Sequence, residues 1–182
     1  EDKLKLISKL LPTCDKFIVG GGIANTFLYA LGNNVGKSLL SLENIEEIKN
    51  ILPHRDNMLL VEEAESVDEN TARGRYTIKG DEFFLQGHFP GNPVVPGVIL
   101  CEMMGQASCC LLADKVKNCT PFFTKMNNVK FKNQVKPGDT LESVCTLTKS
   151  RGAFYFIDAK GYVDGKLCVS AELSFALVEN KE

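Results

Sequence analysis

Two side chains in this sequence are suited to proton transfer, and each stands in unusual surroundings. His88 lies in the run Gly87-His88-Phe89-Pro90-Gly91-Asn92-Pro93, and Glu102 is the only charged residue between Val98 and Ala113. An imidazole changes charge near neutral pH and serves as a general base. An unpaired carboxylate in apolar surroundings costs several kcal/mol, so burial is expected to raise the pKa of Glu102 and leave it able to give up a proton. Gly97 stands at the expected start of a helix, where backbone N–H groups lack partners and the macrodipole is positive. A developing oxyanion could be held there. Base, acid and oxyanion donor together suit removal of a proton next to a carbonyl with loss of a β-leaving group. Gln106, one helical turn beyond Glu102, lies on the same face and can orient its carboxyl or the loop beside it.

The elements that must position these groups are also legible. Pro90, Pro93 and Pro96 fix φ and bias the residues before them toward extended geometry, so His88 is expected on a loop of one shape. Pro96 suits a helix start, and residues 98–113 carry Val, Ile, Leu, Met, Cys and Ala on all sides. Such a helix belongs in a protein core; it reads as too short and too interrupted to cross a bilayer. Upstream, the spacing of Leu42, Ile45, Ile48, Ile51 and Leu52 predicts a helix that Pro53 stops. Strands are expected at 58–66 and 71–78, then at 122–131, 140–150, 153–164 and 166–178. The segments between them carry turn chemistry in Lys136-Pro137-Gly138-Asp139, Ser150-Arg151-Gly152 and Asp164-Gly165. One long helix among antiparallel strands is an α+β plan.

Pro53-His54-Arg55, the run 87–93, Pro96-Gly97-Val98, Glu102 and Gln106 together resemble the 3-hydroxyacyl-[acyl-carrier-protein] dehydratases of FabZ type, over about residues 42–178. The resemblance implies a hot-dog fold, in which a curved antiparallel sheet wraps a long central helix. It implies dehydration of (3R)-3-hydroxyacyl-[acyl-carrier-protein] to the trans-2-enoyl thioester in fatty-acid biosynthesis, a hydro-lyase activity, with no metal or organic cofactor. It also implies a homodimer sharing its site, with a trimer of dimers as the next level of assembly. His88 of one subunit would face Glu102 of the other, with His88 taking the α-proton, the Gly97 N–H polarising the carbonyl and Glu102 helping the hydroxyl leave. Phe89, Val98, Met103 and Gln106 would touch substrate, although core packing explains a methionine equally well. Lys130, Lys132 and Lys136 could receive an acidic carrier protein, or could simply keep a strand soluble. His54 reads as structural, outside the proton-transfer pair. Asp56-Asn57-Met58 stands where the family commonly has Tyr-Pro-Phe, so no gating aromatic is expected there.

Two other readings stay open on this scaffold, an acyl thioesterase and a non-catalytic acyl-carrier-binding module, since fold does not fix chemistry. The chain has 182 residues, 44% hydrophobic and 24% charged side chains and a net charge of −2, which suits one globular domain with an extension and gives no reason to expect nucleic acid. No signal peptide is read at its start, and a cytoplasmic setting is expected. Seven cysteines with no C-x-x-C pair fit reduced, buried thiols. Residues 1–40 differ from the rest. Helical spacing at 2–11, a strand start at 16–19, Gly20-Gly21-Gly22 and a helix at 23–31 resemble a piece of phosphoglycerate kinase. Neither glycine run satisfies a phosphate-binding motif, so a non-functional fragment, ending where a dehydratase domain spans 41–182, is the expectation.

Overall fold

The computed structural model describes residues 41–42, 45–116 and 118–180. The elements expected within residues 1–40 lie outside them. In chain order the elements are β1 (Ser41–Leu42), α1 (Ile45–Ile51), β2 (Glu63–Ser66), β3 (Thr71–Thr77), α2 (Gly97–Ser108), α3 (Ala113–Val116), β4 (Cys119–Phe131), β5 (Thr140–Arg151), β6 (Phe154–Val163) and β7 (Lys166–Glu179). A 3-10 turn, Cys109–Leu112, joins α2 to α3.

The strands form one antiparallel sheet in the order β1-β2-β3-β5-β6-β7-β4, with β4 on an edge. Its concave face closes on α2. Strand periodicity sets which side chains meet the helix: along β6, Tyr155, Ile157, Ala159 and Gly161 turn inward and their neighbours outward. The helix touches β3 most closely at Gly74, where an added Cβ would stand 2.5 Å from that of Ala107. Only a glycine lets the two backbones approach this far. One long helix wrapped by a curved antiparallel sheet is the hot-dog architecture that the resemblance implies, and it fits the α+β plan expected from the strand and turn pattern.

Three local expectations are corrected. The run Gly97–Val116 has a mean hydropathy of 1.3 over 20 residues, so by length and composition it could cross a membrane. Of its most apolar stretch, 67% is buried inside the protein, which makes it a core helix. The strand expected at 58–66 is confined to Glu63–Ser66, because Asp56–Met58 is a 3-10 turn and the backbone at Met58 and Leu60 bonds to a side chain of α2 instead of a neighbouring strand. Finally, Ser41–Leu42 does not begin the first helix but pairs with Ala64 and Glu65 of β2.

Candidate active site

The Pro-His-Arg segment is shaped by the end of α1. Pro53 cannot continue the helix, and the Arg55 guanidinium caps its exposed carbonyls, donating to Leu52 O at 2.6 Å and Lys49 O at 3.0 Å. With Arg55 turned back, His54 projects onto α2. Its Nε2 lies 3.2 Å from Glu102 Oε1.

Gln106, 2% exposed, ties this segment down. Its Oε1 accepts from the Leu60 N–H at 2.8 Å, and its Nε2 donates to Met58 O and to Glu102 Oε1, both at 2.8 Å. Because the Leu60 N–H must meet an acceptor, the amide has one orientation only. A cavity of about 60 Å³ opens beside the group, lined by His54, Glu102, Gly105, Gln106, Cys109, Pro121, Phe123 and Phe175.

Glu102 titrates in the opposite direction from the sequence expectation. Burial pushes its carboxyl up, but hydrogen bonds from His54 and Gln106, with the electrostatic influence of the nearby His54 ring, outweigh it, and the net displacement is below the ordinary 4.5. The Glu102 side chain is still one-fifth exposed. Burial raises the neighbouring thiols of Cys101 and Cys109, with the Glu102 charge adding to the effect, so neither is a ready nucleophile.

His88 occupies a separate loop. Val94 N donates to His88 O at 2.9 Å, and Phe89 and Asn92 exchange backbone bonds at 3.2 and 2.9 Å, closing the turn that the prolines led us to expect. Its ring lies against Phe89, with centroids 4.1 Å apart. The ring Nδ1 stands 2.8 Å from Val94 O. A carbonyl can only accept, so Nδ1 carries the proton and Nε2 keeps a free lone pair. That is the tautomer a general base needs.

Within one chain, Glu102 pairs with His54 and not with His88. Val98 and Phe89 are 67% and 55% exposed and could contact another molecule, whereas Met103, at 2%, is a core side chain. Gly97 opens α2, and a Cβ there would come within 2.5 Å of the Phe131 ring. Lys130 and Lys132 flank that phenylalanine and are exposed, and Lys136 Nζ reaches Asn92 Oδ1 of the His88 loop at 3.4 Å. Sequence reasoning missed His54 as the partner of Glu102. The signal was present, since it is one of only two histidines and directly follows the proline that ends a helix.

The FabA-like domain model matches residues 52–172. A 3-hydroxyacyl-[acyl-carrier-protein] dehydratase FabZ of Clostridium perfringens is 44% identical over 136 residues, covering 74% of this chain and 98% of that protein. The chain belongs to the FabZ family. A FabZ of Streptococcus pneumoniae is 43% identical, over 74% of this chain and 97% of its own length. The dehydratase heterocomplex ApeI:P of Xenorhabdus doucetiae superposes with a TM-score of 0.62 at 21% identity, covering 71% of this chain and 90% of that one, and supports the hot-dog fold of this FabZ member. The phosphoglycerate kinase model matches residues 1–80 and overlaps the FabA-like match from residue 52.

Proposed function

We propose that this FabZ member removes water from a 3-hydroxyacyl thioester carried on acyl carrier protein, the reaction in its relatives' names, as a step of fatty-acid biosynthesis, at a site built from His88, Gly97 and Glu102. The enzyme is a hydro-lyase. The observation that carries the site is the pair of opposite hydrogen-bond arrangements: His88 holds Nε2 free as a base, and Glu102 is fixed by Gln106 beside a cavity. His88 Nε2 takes the α-proton, the enolate oxygen rests on the N–H groups at the start of α2, and a proton from Glu102 leaves with the β-hydroxyl as water. The proton on His88 then returns to Glu102, restoring the resting state.

Because one chain does not pair His88 with Glu102, the complete site uses two subunits, with His88 of one facing Glu102 of the other in a homodimer. Exposed Val98 and Phe131 stand at the α2 start and exposed Phe89 on the His88 loop, and all three suit such a contact. Covering Glu102 removes its remaining water and pushes its pKa back up, toward the form that donates a proton. Three such dimers form the larger assembly. Lys130, Lys132 and Lys136 lie around the Gly97 end of the helix and the His88 loop, where they steer an acidic carrier protein toward the entrance. Free thiols at all six described cysteines accord with a cytoplasmic enzyme. Residues 1–40 are a phosphoglycerate-kinase-like fragment without a function of its own, and the catalytic unit runs from 41 to 182, starting where β1 joins the sheet.

The test is enoyl formation from a 3-hydroxyacyl-carrier protein, followed spectroscopically for the full chain and for a version beginning at Ser41. Both should turn over at equal rates. Thioester hydrolysis without enoyl product would favour the thioesterase reading, and binding without either product the carrier-binding module.

A further inference from the structure

Both donors on Glu102 converge on one oxygen. Gln106 Nε2 reaches Oε1 at 2.8 Å and His54 Nε2 at 3.2 Å, while Oε2 accepts no hydrogen bond from any described residue. Oε2 is not a buried orphan either. Among the described residues, His54 Nδ1 is the one buried side-chain nitrogen or oxygen without a partner. The carboxyl is thus divided into a pinned oxygen and one that remains accessible.

The orphan nitrogen locates the proton on His54. Nε2 faces a carboxylate oxygen and must donate to it. A second proton on Nδ1 would be a buried donor with nothing to accept it, which costs more than leaving a lone pair in apolar contact. The rest of the cavity supplies no competing charge. Gln106 from α2, Pro121 and Phe123 from β4 and Phe175 from β7 do not titrate, and the thiols of Cys101 and Cys109 near Glu102 are raised by burial.

The geometry points to His54 as a positioning residue for Glu102: a neutral imidazole whose Nε2–H pins Oε1 and leaves Oε2 to exchange a proton with the substrate's β-hydroxyl. Neutrality is central to the role. A neutral N–H stays bonded to Oε1 whether or not Oε2 carries a proton, whereas an imidazolium would hold the carboxylate by charge and oppose its protonation. Gln106 alone would leave the carboxyl free to rotate about its remaining bond. The second donor fixes its plane.

This inference rests on the dehydratase reading, and its test separates the two. Imidazole ¹⁵N spectra of the wild-type protein at neutral pH should show His54 with a protonated Nε2 and a bare Nδ1. His88 gives the reverse pattern, and His88→Ala assigns the signals. A doubly protonated His54, or a proton on Nδ1, overturns the proposal without any variant having to fold. In enoyl formation, His54→Phe keeps the ring volume but removes the donor. Its kcat should fall about ten- to hundredfold with KM changed less than about threefold, the range for groups that orient a reacting residue. Losing the His54 bond raises the Glu102 pKa, so the limb on which activity falls as Glu102 loses its proton should move to higher pH. His54→Gln places an amide N–H where Nε2 stood and should recover about tenfold of the lost kcat. A His54→Phe enzyme with wild-type kcat and pH profile refutes the role, as does a folded His54→Gln enzyme no better than His54→Phe. If the wild-type enzyme makes no enoyl product, the dehydratase reading fails instead.

Discussion

The two histidines occupy loops of opposite character. His88 sits among prolines, half-buried, with Nδ1 committed to the Val94 carbonyl and Nε2 free. His54 follows a helix end, with Nε2 committed to Glu102 and Nδ1 buried without a partner. The same side chain is thus set up as a base in one loop and as a donor in the other, and the difference lies in which acceptor the backbone offers. A carbonyl beside Nδ1 frees Nε2. A carboxyl beside Nε2 occupies it.

The sharpest way to break this comparison is to remove the reacting groups. His88→Ala and Glu102→Gln should each lower kcat for enoyl formation about a thousandfold, within the span of general acid–base catalysis, while gel filtration shows unchanged assembly. A modest loss at either position would remove that residue from the mechanism. Next in size is Gln106→Leu, which leaves the Leu60 N–H and Met58 carbonyl unpaired. Urea unfolding should show a loss of about 2–4 kcal/mol, from two unsatisfied groups in or near the core. Gly105→Ala would place a Cβ 2.4 Å from Phe123 Cζ. Since that ring also walls the cavity, the variant should lose about 1–3 kcal/mol in urea unfolding through overpacking, and substrate should bind less tightly.

How much of this was legible in the sequence depends on range. The proline loop and the lone acid of α2 are local patterns, and both were readable. His54 was not, because its meeting with Glu102 depends on the angle at which α1 ends over α2, and no spacing rule encodes that angle. The strand expected at 58–66 failed for a related reason: the Gln106 amide takes the place of a ladder partner at Met58 and Leu60. The direction of the Glu102 shift was missed because a sequence reveals apolar neighbours, which raise a carboxyl pKa, but not the donors folded onto it. The core helix was recognisable by composition, although the same composition would have passed for a membrane span.

Two smaller effects refine the comparison. Replacing Lys130, Lys132 and Lys136 with alanine should slow association with acyl carrier protein about two- to tenfold in stopped-flow mixing, with added salt erasing the difference. Glu102 is held below 4.5 when folded, so its stabilisation is complete above the unfolded value and is lost as pH falls through the folded one. In dissociated subunits the stability gap between wild type and Glu102→Gln, read from urea midpoints, should therefore stay constant near neutrality and change only below about pH 4.5, whereas in the assembled enzyme, where the partner covers Glu102, the change should begin at higher pH.

The most direct measurement for the shared site is subunit complementation. His88→Ala and Glu102→Gln proteins, each nearly inactive, are unfolded together, refolded and assayed for enoyl formation. Random pairing makes about half of the dimers mixed, each with one intact site, so about a quarter of wild-type activity should return if His88 and Glu102 meet across subunits. If refolded mixtures contain mixed dimers and stay as inactive as their parents, the two residues do not form one site across the interface.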